Sequence, residues 1–244
     1  MTLRHVHTSG RFTASPAQLA GALDIYSGPL SAGGFGADVI TLTEVSPDRY
    51  DEPLAGWADR HGFSLHHPTM RGRDECAVLS RRPMDKRKAW RLTDLTLKVG
   101  RTAPLYLVAV KLQEGPWFAV WHTPAHNGGL STMGKAAFPT RVYRSALTGL
   151  HHARMKMHGG GVVLAADWNL DLRRHDIALQ LAKPYPFMHF GVEADEAPTE
   201  GGRGIDGVLT NLPIVEKSVT LPAQPGFDHR SVLTVLGEAP EIGQ

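Results

Sequence analysis

Two residues of the stretch GVVLAADWN (161–169), Asp167 and Asn169, carry the first chemical signal in this chain. The apolar run before them reads as a buried strand, and side chains two apart on a strand share a face. A carboxylate and a carboxamide on one face, with no basic residue between them, offer oxygen donors to a hard cation. Comparable residues stand where several other apolar runs begin or stop. Glu44 closes DVITLTE, His122 closes WFAVWH, Asp206 opens IDGVLT, and Asp228 and His229 directly precede SVLTVL. Singly, each has a plain reading. Glu44 is a solvated loop acid, His122 a satisfied core histidine, DWN a turn with an Asx cap, Asp206 a loop cap and DHR a solvated surface triplet. Strand ends and the loops after them are nevertheless where a sheet scaffold gathers side chains from distant parts of a chain.

The elements that would position these residues are legible from short, β-branched apolar runs bounded by turn residues. Strands are expected at 38–45, 76–82, 105–112, 117–123, 161–169, 205–211 and 231–236, with QEGP joining 105–112 and 117–123 as a hairpin. Helices are expected at 15–26 and 46–62, each opened by Ser-Pro, where serine caps and proline fits the first helical position. A third, 138–160, has Val142, Ala146, Leu147 and Leu150 at helical spacing, and a weaker one spans 173–182. Strands outnumber helices, and hairpins mix with helical connections. The expected class is α/β, as a four-layer α/β/β/α sandwich of two mixed sheets with outer helices.

Composition bounds the rest. The chain has 244 residues, 42% hydrophobic and 20% charged, enough to bury a sizeable core in one domain spanning 1–244. A formal charge of +2 is too small to argue for nucleic acid by itself. The single cysteine, Cys76, excludes an internal disulfide framework and a cysteine-based zinc site. No apolar stretch approaches a membrane span, and the N-terminal residues lack the apolar core of a signal peptide. The expected location is therefore cytoplasmic, in a reducing compartment.

Taken in order, these stretches resemble the endonuclease/exonuclease/phosphatase superfamily, whose fold is that of pancreatic deoxyribonuclease. ADVITLTEV resembles that family's DIIALQEV, DECAVLSRRP its GVAILSRFP, and WFAVWHTPAH the strand that carries a histidine. LAADWNLD resembles GDFN, RGIDGVLTN resembles RIDYIL, and GFDHRSVLTVL resembles SDHRPV. The likeness runs from about residue 38 to 236. It implies that Glu44 binds a divalent metal, magnesium or manganese, with Asp228 as the second metal-site carboxylate. It implies that Asp167 contacts metal or the attacking water and that Asn169 holds a phosphate oxygen. His229 becomes the general base or the partner of the phosphate, oriented by Asp206, and His122 stabilises the pentacovalent phosphate or protonates the leaving oxygen. Arg141 stands where the family often has an arginine. One departure concerns the first strand, where the family's TWN supplies a metal-binding asparagine. The matching LRHVHTSG offers Ser9, Thr8 or His7 instead, which implies a weaker metal site or one shifted toward manganese.

The substrate is less legible. Arg81 and Arg82 open a basic run, SRRPMDKRKAWR, that would suit a phosphate backbone and equally reads as a solvated hairpin. The leading expectation is a nuclease acting on nucleic-acid phosphodiesters with magnesium or manganese. Alternatives are a phosphatase or phosphodiesterase for a small-molecule or lipid-headgroup phosphoester, and a binding protein of weakened activity.

Overall fold

The computed structural model describes residues 2–10, 14–69, 76–91, 106–122, 156–157, 161–168, 171–173, 191–193, 199 and 204–237. The described strands are β1 (Leu3–Ser9), β2 (Val39–Thr43), β3 (Ser64–His66), β4 (Ala77–Ser80), β5 (Met84–Arg91), β6 (Tyr106–Leu112), β7 (Trp117–His122), β8 (Val162–Asp167), β9 (Gly191–Glu193), β10 (Asp206–Thr210), β11 (Ile214–Thr220) and β12 (Val232–Leu236). They form two six-stranded sheets, ordered β11-β12-β1-β2-β4-β3 and β5-β6-β7-β8-β10-β9. Each sheet has antiparallel pairs around one parallel pair, β1 with β2 and β7 with β8.

The sheets face one another through β1, β2, β4 and β12 on one side and β6, β7, β8 and β10 on the other. Between them lies an apolar core that includes Val39, Val78, Val108, Val110, Phe118, Val120, Val163 and Val208. A second core joins the first sheet to helices α1 (Pro16–Ser27) and α2 (Pro47–His61), with Val6, Ile40, Leu42 and Leu79 against Leu19, Leu23, Tyr50 and Trp57. Strand alternation explains the division: Ile40 and Leu42 point to the helices, while Val39 points to the other sheet. This is an α/β sandwich, as expected. The helices expected at 138–160 and 173–182 lie largely outside the described residues.

Both described helices start where their Ser-Pro signals indicate. Ser15 accepts from the Gln18 backbone at 3.2 Å while Gln18 Oε1 accepts from the Ser15 backbone at 2.7 Å, a complete capping box. The α2 helix stops at Gly62, whose φ of 68° is the left-handed conformation that releases the chain.

Five described strands lie outside the set expected from apolar runs: β1, which only the resemblance implied, and β3, β5, β9 and β11. Two of them, β5 (MDKRKAWR) and β11 (IVEKSVT), are sheet edges with mostly exposed side chains. Both pair with their neighbours through register shifts, and charges on an edge strand discourage pairing with other chains.

Candidate active site

The two parallel pairs deliver their C-terminal ends to the same rim. On the first sheet, Ser9 lies opposite Thr43 and the chain leaves β2 through Glu44. On the second, His122 pairs with Asp167, and Asp167 with Asp206. His122 Nε2 closes the gap between sheets, 3.5 Å from Asp167 Oδ2 and 3.8 Å from Glu44 Oε1. His229, in the approach to β12, places Nδ1 2.8 Å from Asp206 Oδ2. Ligand atoms of Asp167, Asp206 and His229 all lie within 4.8 Å of one another. Asp228 is exposed beside His229, on which its charge acts. The structure therefore gathers Glu44, His122, Asp167, Asp206, Asp228 and His229 at one end of the sandwich. Asn169 and Arg141 lie outside the described residues.

Local structure explains why these side chains hold still. Asp206 is buried, and the Thr199 hydroxyl accepts from the backbone of both Ile205 and Asp206, at 3.0 and 3.2 Å. Trp168, between the two expected site residues 167 and 169, points the other way. It is fully buried, donates Nε1–H to the Gly207 carbonyl at 3.1 Å and meets Trp121 edge-on at 4.8 Å. The indole pair thus clamps β7, β8 and β10 from behind their acidic ends. Glu44 adopts φ 60°, a left-handed conformation that side chains rarely take and that concentrates at functional sites.

Of the three first-strand candidates, Ser9 is the one that meets Glu44. Ser9 Oγ donates to Glu44 Oε2 at 3.4 Å, so a hydroxyl lies beside that carboxylate. Thr8 points to the helical side, where its hydroxyl accepts from Ser231. His7 shares the face of Ser9, and its Nε2 lies 3.8 Å from Asp206 Oδ1. Sequence reasoning held His7 as a candidate but did not join it to Asp206. The signal was available in LRHVHTS, where Leu3, His5, His7 and Ser9 fall on one parity.

Arg81 and Arg82 stand elsewhere. They follow Ser80, which pairs with Val39 at the start of β2, so they sit at the opposite end of the sheet from Glu44. The Arg81 guanidinium donates to the carbonyls of Ser27 (2.6 Å) and Ala37 (3.3 Å) and covers the Phe63 ring at 4.8 Å. That is a fastening between sheet and helices, and their expected role in substrate binding has no support in this position. The run they open returns along β5, however, and ends at Arg91 opposite Tyr106. Val108 pairs with Val120, so two residues further on Tyr106 comes level with His122. Arg91, exposed, thus lies at the level of the acidic rim.

The charges of the rim shape its histidine. Burial disfavours a charged His229, but the hydrogen bond and charge of Asp206, with Asp167 and Asp228, prevail and raise its pKa to about 10. His7 is the reverse: burial outweighs the pull of Asp206 and pushes it down to about 4.

The carboxylates fit a divalent cation. Glu44 and Asp167 approach one ring nitrogen from two sheets, and Asp167, Asp206 and His229 bring ligand atoms close enough together to hold a metal ion.

No protein-family model and no curated protein matches this sequence. Solved structures do. An endonuclease/exonuclease/phosphatase from Bacteroides vulgatus superposes with a TM-score of 0.68 at 12% identity, over 98% of this chain and 99% of that one. This chain has the endonuclease/exonuclease/phosphatase fold. The human Nocturnin catalytic domain with bound sulfate matches this endonuclease/exonuclease/phosphatase-fold chain at TM-score 0.64 and 16% identity, over 97% of this chain and 94% of that one. D. rerio TDP2 complexed with single-strand DNA product matches at 0.62 and 11%, over 97% and 99%. Among the described residues, no helix is long and apolar enough to cross a membrane.

Proposed function

We infer that this protein is a divalent-metal-dependent phosphodiesterase acting on nucleic acid. The observation that carries the reading is the meeting of Glu44 and Asp167 on His122, from two different sheets, beside the Asp206–His229 pair. Such a site has oxygen donors for a hard cation, a histidine tied to a carboxylate, and a second histidine within reach of the same centre. Its resemblance in fold to TDP2 complexed with single-strand DNA product supports a nucleic-acid substrate. So does the exposed basic edge formed by Lys86, Arg87, Lys88 and Arg91, which approaches the rim at Arg91.

In this reading Glu44, Asp167 and Asp228 hold magnesium or manganese, which when bound supplies positive charge to the phosphoryl oxygens and offsets the carboxylates around His229. The chain's own groups do the rest. Asp206 accepts from His229 Nδ1, which leaves Nε2 to take a proton from the attacking water or to hold a phosphate oxygen. His122, between two acids, donates to the phosphoryl group or the leaving oxygen. Asn169 steadies a phosphate oxygen.

The experiment compares plasmid DNA, single-stranded oligonucleotides and p-nitrophenyl phosphate, each with magnesium, manganese or EDTA. Cleavage of nucleic acid that needs the ion and is lost in Asp167→Ala is expected. Turnover of the monoester alone would redirect the assignment to a small-molecule phosphatase. Persistent cleavage in EDTA would remove the metal from the mechanism.

A further inference from the structure

Asp206 is bracketed by two histidines, and the second has no role in the mechanism above. Its Oδ2 accepts from His229 Nδ1 at 2.8 Å. Its Oδ1 has no hydrogen-bond partner and faces His7 Nε2 at 3.8 Å, a nitrogen that makes no full hydrogen bond although the Ala166 backbone also acts on the ring. Both side chains are completely buried. Two unsatisfied polar atoms buried face to face are rare, because each forfeits its water without compensation.

The protons on this array can be placed by elimination. An ionised carboxylate only accepts, so an attractive contact requires the proton of His7 on Nε2. Nδ1 then accepts, and the Thr41 hydroxyl, 3.0 Å away, donates to it. The Thr41 oxygen in turn accepts from His5 Nε2 at 2.9 Å. Donors thus run from His5 through Thr41 and His7 toward Asp206, which accepts on its other oxygen from His229. Burial holds His5 and His7 neutral, with pKa values pushed down to about 3 and 4, as this order of donors requires.

We propose that His7 is a positioning residue, whose Nε2–H pins Asp206 Oδ1 from the opposite sheet and so keeps Oδ2 on His229 Nδ1. The gap of 3.8 Å exceeds a hydrogen bond, and closing it by about 0.7 Å reaches that range. The contact ties the orientation of the rim histidine to the packing of β1 against β10. It rests on the proposed hydrolase reading only for its effect on rate, since the geometry exists without it.

The test uses the full chain in chelator, 15N-labelled at histidine, and follows the Nδ1–H resonance of His229, assigned by its loss in His229→Gln. In His7→Phe, which keeps the ring volume, this proton should exchange faster and move upfield. His7→Gln, whose amide stands near the Nε2 position, should restore it, whereas His7→Asn, whose amide stands near Nδ1, should not. An unchanged resonance in folded His7→Phe overturns the proposal. If the phenylalanine variant fails to fold, equal spectra for the Gln and Asn variants overturn it instead. On whichever phosphodiester the wild type cleaves, His7→Phe should lower kcat about tenfold with KM unchanged, and Gln should recover it. A wild type that cleaves nothing would end the hydrolase reading and leave the spectroscopic arm to decide the role of His7.

Discussion

At the scale of single residues, the Asp206–His229 pair makes the sharpest demand. Asp206→Asn keeps size and shape but replaces the acceptor of the Nδ1 proton with a group that can present a donor. The expected outcome is a loss of about 10²–10⁴ in kcat with an unchanged fold, checked by single-turnover kinetics beside circular dichroism. Ser9 invites a gain instead. Its hydroxyl sits 3.4 Å from Glu44, where an amide oxygen would be the better ligand for a hard cation. Ser9→Asn should tighten magnesium binding several-fold by calorimetry, and unchanged affinity would remove Ser9 from the metal site. Glu44, Asp167, Asp206 and His229 were readable as chemistry because each interrupts or borders an apolar run. His7 was harder to read, since a histidine inside a strand carries no sign of what the opposing sheet will place against it.

At the scale of elements, the rim depends on two strained or heavily packed places. Glu44 holds φ 60° where glycine would be relaxed. Glu44→Gly should therefore raise Tm, through relief of about 1 kcal/mol of backbone strain, while abolishing metal-dependent hydrolysis. Trp168 works from the other face of β8, buried against Trp121 and bonded to Gly207. Trp168→Ala should cost about 3–5 kcal/mol in chemical denaturation, and a loss below 1 kcal/mol would show that the indole pair does not brace the rim. The buried strands were legible because their β-branched runs have one role each. The basic edge β5 was not, since a strand whose outer side meets water needs no apolar alternation, and its charge run reads equally well as a loop. Arg81 and Arg82 illustrate the same limit: a count of positive residues does not say at which end of a strand they emerge.

At the scale of the molecule, the space between the sheets is apolar at one end and polar at the other. Leu3 and Val39 give way to His5, His7, Thr41, Thr43 and Ser9, all buried. The buried imidazoles make stability depend on pH. His5 and His7 have folded-state values near 3 and 4, below about 6.5 for the unfolded chain. The unfolded chain thus takes up protons first as pH falls. Their contribution is complete above about pH 6.5 and is lost progressively toward pH 4 and below. His5→Phe, beside Phe118, should flatten the acid limb of a stability profile by up to one proton, about 1.4 kcal/mol per pH unit, as read from urea midpoints between about pH 6.5 and 4. An unaltered slope would show that His5 does not govern that limb.

The pairing of β1 with β12 sets Leu3 opposite Leu236, so the first and last of the described strands lie side by side. His229 arrives just ahead of that final strand. A chain cut before His229 therefore leaves one side of β1 unpaired and Asp206 without its histidine. In the proposed reading, such a truncation removes the rim histidine and the neighbour of β1 together.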